Sequence, residues 1–565
     1  MAATTRLWET LLMAAGAVLL PLASCAQSER PAAPETAAHE VDAGLAAADG
    51  GAGGAPSDPG ESTHHGQVDT TDGTDPAHCQ PSAGGPYYVL ENDPISVTIT
   101  CQTGLEMPEG LTFDPIPYGA KLDKTKATLT WTPAVDQAMR YELTLKAAPW
   151  NETGKLEIYV LDRYDAKDNV PLKDPARYPL EYGLPVVHLA TDPGLNNDEY
   201  TPATITYRGH TFTGAQAKTR GATSAAYPKR SFTLKFTKQD KFSEPDFAGG
   251  FNEKRKIVLL TSFDDNSFLR QRLAFELWNR LDPAHIQVQA YNAVVFLNGR
   301  YFGLYTVVDH VDKYLMEDFG LAQTGNLYKA RNHDANFRET LNGGPEPKPT
   351  FHAGYSKSEG TPLEGEPGAF DDLDAFVTWA ATASPADFAA AIDQTLVRKD
   401  YEDWWIYISF IMGDDSAGKN SYHYHDPAFA QSQWRYVPWD LNFSLGQDWR
   451  TERTKPDATR PEGYYVSMNG LFERLLADET FGPALRARFV DTLAGSFAVE
   501  PIMTLIDAMA AEIDGCARRD EQKWSAIYRG YGSWNTRSNF TTYEAEVQYL
   551  RQWIQDRHAY LETVY

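Results

Sequence analysis

Asp415 and Asn420 stand five residues apart in Gly413-Asp414-Asp415-Ser416-Ala417-Gly418-Lys419-Asn420, and Asp440 follows twenty residues after Asn420. Phosphoryl transfer from a magnesium nucleotide uses these groups in this order. One carboxylate orients or deprotonates the acceptor hydroxyl, and an amide oxygen and a second carboxylate hold the metal against the phosphates. The spacing alone is a weak signal, because Asp, Ser, Gly and Asn also build ordinary turns. Asp414 is off the spacing and carries no catalytic role. An acid–base hydrolase using Asp415 and Asp440 is a competing reading, but it leaves Asn420 and the basic segment upstream unexplained.

That segment runs Thr219-Arg220-Gly221, then Lys229-Arg230-Ser231-Phe232-Thr233-Leu234-Lys235-Phe236. Phe232, Leu234 and Phe236 alternate with Ser231, Thr233 and Lys235, so the pattern predicts a strand with Lys235 off the apolar face. A small-residue loop leading into such a strand suits phosphate binding through Arg220 and either Lys229 or Lys235. Arg270 falls inside the leucine stripe of a predicted helix at 267–281 and needs a carboxylate or a phosphate as partner; Asp264 and Asp265 stand nearby. Glu276, four residues from both Arg272 and Arg280, suits either a lysine-positioning role in a nucleotide site or plain helix-surface pairing. His423 and His425 alternate on one strand without a third metal ligand in view, so they read as wall or surface residues.

These groups need elements to hold them. From 180 to 565, predicted strands come first (185–190, 202–207, 230–236, 256–260, 291–297, 303–308). Helices dominate later (among them 371–381, 400–412, 483–496, 502–514 and 541–563). The pattern predicts an α+β domain with two lobes. Upstream, short alternating strands over 83–163 predict a small all-β sandwich, with Trp131 in its core. Its Leu129-Thr130-Trp131-Thr132-Pro133 and Tyr141-Glu142-Leu143 resemble bacterial Ig-like or cadherin-like modules, and the expected role is a spacer or adhesive unit.

Taken together, these motifs resemble the CotH family of kinase-like spore coat proteins. The matching pieces are Thr219-Arg220-Gly221 with the basic strand; Asp265 with Leu269-Arg270; Phe296-Leu297-Asn298-Gly299-Arg300-Tyr301-Phe302-Gly303-Leu304-Tyr305; Asp415 to Tyr424; Val437-Pro438-Trp439-Asp440-Leu441; and Arg557 with Leu561. The resemblance implies an atypical two-lobed protein-kinase-like fold over 180–565, binding ATP with Mg²⁺ or Mn²⁺ and phosphorylating protein Ser or Thr. It places the catalytic Asp on Asp415, the metal ligands on Asn420 and Asp440, and the nucleotide contacts among Arg220, Lys229, Lys235, Arg270 and Glu276. The chain departs from the family pattern in two places: Asp309 where many relatives carry Glu, and Asp440-Leu441-Asn442 where many carry Asp-Leu-Asp. The second departure is expected to remove a supporting carboxylate.

Export shapes the rest of the reading. Residues 1–25 resemble a lipoprotein signal peptide: an apolar run from Leu11 to Leu22, then Leu22-Ala23-Ser24-Cys25 with Cys25 as lipid acceptor. The run is short for a membrane span. Residues 26–82, rich in Ala, Gly, Asp, Ser, Thr and Pro, are expected to form a flexible tether. An oxidising compartment would allow Cys79 and Cys101 to pair, leaving Cys516 as a buried thiol. The 51 Lys and Arg residues against 77 Asp and Glu give a net charge of −26, which argues against nucleic acid as a partner. The expected partners are a membrane, through the lipid, and a protein substrate at the cell surface or coat. ATP is scarce outside the cytoplasm, so a kinase-fold surface protein without turnover, acting in adhesion or envelope assembly, is the second reading.

Overall fold

The computed structural model describes residues 78–565, apart from 102–104, 106–109, 135–136, 150–151, 162–173, 193, 248–250 and 533–539. The signal peptide, Cys25 and the tether up to residue 77 lie outside the described residues. The described chain is mixed α/β, with several sheets and ten α-helices.

Its central feature is a nine-stranded sheet. The strand order is Leu180–Glu181, Leu184–Thr191, Ala290–Leu297, Arg300–Asp309, Lys256–Thr261, Ser231–Lys235, Gln216–Arg220, Thr201–Tyr207 and His210–Phe212. Leu184–Thr191 also pairs with Thr201–Tyr207, so the ladder closes on itself. The period-2 alternation of the strands sorts their side chains. Val187, Leu189, Ala217, Phe232, Leu234, Ile257, Leu259, Val295 and Val307 fill an inner core. The alternate positions Val186, Val258, Val294, Leu304 and Val308 join a second, larger core beneath the helices. Lys218, Arg220, Lys235 and Lys256 sit in register on that second face. Arg300–Asp309 and its partner are joined by Asn298-Gly299, both at positive φ (52° and 77°), the left-handed pair that a tight hairpin demands.

The helical part packs against that face. It carries its own antiparallel sheet, ordered Tyr355–Glu359, Asn326–Ala330, Ser421–His425, Arg435–Pro438. Helix Arg398–Ile411 is buried along nearly its whole length, with Tyr401, Trp404, Trp405 and Ile408 fully enclosed. Sequence periodicity under-read two elements. The predicted 502–514 helix runs Val499–Arg529, and Pro461–Met468, short and without a clear apolar stripe, was not expected at all.

Upstream, the strands Tyr87–Leu90, Glu152–Leu161, Arg140–Ala148 and Gly110–Asp114 form one sheet, and Ile95–Thr98, Thr128–Trp131 and Lys121–Asp123 form another. The two share a core of Val97, Leu111, Leu129, Trp131, Leu143, Leu156 and Ile158. Cys79 and Cys101 are joined by a disulfide, while Cys516 is a buried free thiol. This all-β unit is more than a spacer. Its Tyr159 and Leu161 belong to the large core under the helices. Tyr88 stacks between Tyr159 and Tyr182, with ring centroids 5.1 Å away on each side.

Candidate functional site

The segment 413–420 is held by contacts that no local pattern reveals. Helix Arg398–Ile411 ends on Met412 in the left-handed conformation (φ 51°), which turns the chain sharply out of the helix. Trp404 then donates its indole N–H to the Ser416 carbonyl (2.9 Å), and Asn469 donates to the Ala417 carbonyl (2.6 Å). At its end, the Asn420 N–H donates to Ala330 O (3.0 Å), and Asn420 O accepts from Trp439 N (3.2 Å). The next residues pair with the strand before Asp440, in register Ser421 opposite Pro438. That hairpin brings Asn420 and Asp440 side by side, with Asn420 Nδ2 3.5 Å from Asp440 O. Both residues have positive φ (60° and 56°), a conformation that Asn and Asp tolerate better than most side chains.

Asp415 lies at the other end of the segment. Its carboxylate is 3.3 Å from His333 Nε2 and 2.8 Å from Lys419 Nζ. Burial alone would raise its pKa. The His333 hydrogen bond and the Lys419 charge outweigh burial and hold the group below the ordinary carboxylate range. Asp440 goes the opposite way. Enclosure by protein pushes it up; Lys329 and Arg220 pull it down, Asp415 adds to the rise, and Lys419 opposes it. The residue is nonetheless open to solvent. Among the described residues nothing hydrogen-bonds that carboxylate. Arg220 is held over the Trp439 ring (4.9 Å to the centroid), and Lys329 over Tyr422 (5.8 Å). An unpartnered carboxylate beside an amide oxygen, ringed by Arg220, Lys329 and Lys419, suits a divalent cation bound together with anionic phosphates.

A family comparison fits this geometry. The family described as CotH kinase protein matches residues 217–561. The chain belongs to the CotH kinase family. No curated protein matches it. The match includes every residue at this site, from Arg220 to Asp440, and leaves the upstream all-β unit outside.

Within this CotH kinase family member, the nucleotide contacts expected from sequence separate into two groups. Arg220 faces the cleft beside Trp439 and Asp440. Lys235 is on the same sheet face but four residues further along its strand, over Tyr200 (5.2 Å), a ring that Lys218 also covers (5.1 Å). Lys229, Arg270 and Glu276 are corrections. Lys229 is fully buried, its Nζ 2.6 Å from Asp520 Oδ2 and 3.3 Å from Ser262 Oγ, so it supports the cleft from behind and does not reach a phosphate. Arg270 is fully buried between Asp265 (2.6 Å) and Glu546 (2.8 Å), which leaves no guanidinium edge for a ligand. Glu276 pairs with Arg280 (2.9 Å) on the helix surface. His423 is buried on Tyr401 (3.1 Å) and Ser421 (3.3 Å), and burial lowers its pKa to about 3; His425 pairs with Asp372 (2.9 Å). Among the described residues, no three His, Cys, Asp or Glu side chains converge as a ready-made metal cage.

Sequence reasoning missed Lys329, His333 and Asp520, and gave Asp264 only as a candidate partner of Arg270. Lys329 and His333 come from a strand and loop without a motif. Asp520 lies deep in the long helix and accepts both Lys229 and the Leu304 N–H (2.6 Å). Gly303 explains itself here: a Cβ would lie 2.5 Å from Asp520 Oδ2 and 2.7 Å from Lys229 Cε. Asp264 is buried, and its Oδ2 accepts from Asn442 Nδ2 (2.6 Å). Burial, then Asp265 and Asp440, raise its pKa to about 7. At this departure from the family pattern, the Asn442 amide supplies the donor that Asp264 faces. Asp309, the other departure, pairs with Lys254 (2.9 Å) from a neighbouring two-stranded sheet.

Proposed function

We propose that this protein is an exported lipoprotein whose kinase-fold domain transfers the γ-phosphate of ATP to Ser or Thr of proteins at the cell surface or coat. The observation that carries the reading is the juxtaposition of Asn420 and the unpartnered Asp440 under Arg220 and Lys329, with Asp415 at the far end of the same short segment. Asn420 and Asp440 would hold a magnesium ion, which would neutralise charge on the nucleotide's phosphates. Arg220 and Lys329 contact phosphate oxygens from the sheet side. Asp415 receives the acceptor hydroxyl as its oxygen bonds to the γ-phosphorus; the bond to the bridging oxygen breaks, ADP leaves, and the hydroxyl proton passes toward Asp415. Because the His333 hydrogen bond and the Lys419 charge outweigh burial and hold Asp415 below the ordinary carboxylate range, its main task is to orient the hydroxyl rather than to pull the proton away early.

That same acidity favours the second reading, a slow or inactive kinase fold acting in adhesion or envelope assembly. Cys25 would supply the lipid anchor in both readings, and the all-β unit would serve as an Ig-like module. The test incubates the protein with labelled ATP and Mg²⁺ or Mn²⁺. Wild type is expected to transfer label, and Asp415→Ala and Asp440→Ala to abolish transfer, with Asp440→Ala also losing metal-dependent nucleotide binding. Nucleotide binding without transfer selects the second reading. Absence of nucleotide binding in the wild type refutes the site.

A further inference from the structure

Two segments distant in sequence contact the Asp414–Asp415 pair and flank a groove. On one side, His333 touches Asp415 (3.3 Å), and the chain then folds into a hairpin. Thr340 bridges Pro347, Leu341 N donates to Glu346 O (2.8 Å), and Lys348 N donates to Glu339 O (2.9 Å). Asp334 Oδ1 fixes the tip by accepting Asn342 N (2.9 Å). On the other side, helix Pro461–Met468 is tied to the catalytic segment through Tyr465, whose hydroxyl is 3.5 Å from Asp414 Oδ1, and through Asn469 on Ala417 O. Between hairpin and helix lies a cavity of about 440 Å³, lined by residues including Asn336, Arg338, Asn342, Gly463, Val466 and Ser467. That is an ordinary size for a ligand-binding cleft.

The chemistry of its walls limits the occupant. Arg338 pairs with Glu473 (2.7 Å) and donates to Val466 O (2.6 Å), so the two charged lining residues neutralise each other. A polyanion finds no free cation there. No aromatic ring lines the groove, so a sugar face has nothing to stack on. What remains is a run of amides and hydroxyls with exposed Asn342 and Ser467, and a buried Arg338 Nε that meets no acceptor among the described residues. Such a surface matches the alternating N–H and C=O groups of an extended polypeptide. Both walls are tied to the Asp414–Asp415 pair, one through His333 and its neighbour Asp334, the other through Tyr465, whereas Arg220 and Lys329 act on Asp440, beyond Asn420.

We propose that this groove seats the acceptor polypeptide in an extended conformation, with Asn342 and Ser467 bonding its main chain and its hydroxyl residue delivered to Asp415. The proposal rests on the phosphotransfer reading above. Gly463 provides a plug, because a Cβ there meets nothing within 4 Å and the position is exposed. The full chain is assayed with labelled ATP, Mg²⁺ and dephosphorylated β-casein, and Gly463→Phe is compared with Val490→Phe, which adds a ring at an exposed site on another helix. Gly463→Phe should raise the casein KM at least tenfold while the Kd for a fluorescent ATP analogue stays within twofold; Asn342→Ala with Ser467→Ala should raise it several-fold. Anisotropy of a labelled casein peptide gives a readout independent of turnover. An unchanged KM and peptide affinity in Gly463→Phe overturns the proposal, as does a wild type that binds no peptide or that labels maltoheptaose in preference to casein. Failure of the kinase reading shows separately, as loss of ATP-analogue binding in the wild type.

Discussion

Asp520→Ala should destabilise the fold by about 3–5 kcal/mol at pH 7.5, because it strands Lys229 without a counter-charge. The two side chains are 0% and 2% exposed, and their atoms are 2.6 Å apart. Removing the carboxylate leaves a buried ammonium, and the Leu304 N–H also loses its acceptor, a further ~1–3 kcal/mol. The two losses do not simply add, since Lys229 can escape by shedding its proton. Taking a lysine from its ordinary value of 10.5 to a neutral amine at pH 7.5 costs ~4 kcal/mol, which caps the electrostatic part. Burial already lowers the Lys229 pKa, and Asp520 partly restores it. In the variant the folded-state pKa drops further below the unfolded one. Between them the unfolded chain binds more protons, so stability rises with pH and the deficit shrinks toward pH 10. Urea unfolding, followed by tryptophan fluorescence and far-UV circular dichroism at pH 7.5 and 9.0, measures both effects. Lys229→Met with Asp520→Leu should recover much of the loss. A cost below ~1 kcal/mol, or a deficit independent of pH, would refute the buried-pair argument.

Three other outcomes follow from the same region. Gly303→Ala should lose several kcal/mol, since its methyl has to displace the Asp520–Lys229 pair from 2.5 and 2.7 Å, and thermal unfolding reads the change. Asn442→Asp would set a carboxylate against Asp264; it should cost ~2–4 kcal/mol at pH 8 and less at pH 5, where one of the two can hold a proton and donate it, as equilibrium unfolding at both pH values would show. Asp264, with its pKa raised to about 7 from an ordinary 3.8, binds a proton in the folded state that the unfolded chain lacks between those values. Wild-type stability should therefore fall by on the order of 2–4 kcal/mol as pH rises from 4 to 7, and Asp264→Asn should flatten that slope in pH-dependent unfolding.

The arrangement around the all-β unit bears on how the protein is dissected. Tyr182 is pressed against Gly515, where an added Cβ would come within 2.6 Å of its ring, and Glu181 holds Arg519 (2.6 Å). Asp520 is the next residue of that helix. A truncation at residue 165 would strip Tyr88, Tyr159 and Leu161 from this packing, so activity belongs on the longer chain.

The sequence by itself determined what short-range periodicity and turn chemistry control. The alternation from Ser231 to Phe236 put Lys235 on the face opposite Phe232 and Leu234, and the strand has that arrangement. Asn298-Gly299 announced its hairpin, and the order Asp415, Asn420, Asp440 carried the family resemblance. Only the tertiary structure decided which charges face the cleft. Arg270 and Glu276 sit on one helix and Lys229 in the loop before a strand, yet Lys229 and Arg270 are sealed inside by Asp520, Asp265 and Glu546 while Glu276 pairs at the surface. Asp520 and Glu546 lie 291 and 276 residues from Lys229 and Arg270, beyond any local pattern, whereas Asp265 and Arg280 are near neighbours that the sequence already offered. Lys329 and His333 reach the site for the same reason: a sheet built from four separated strands sets their position, and nothing in their own neighbourhood of the chain marks them. Desolvation makes an unpaired buried charge costly, so the full set of long-range partners decides whether a charge is a strut or a ligand.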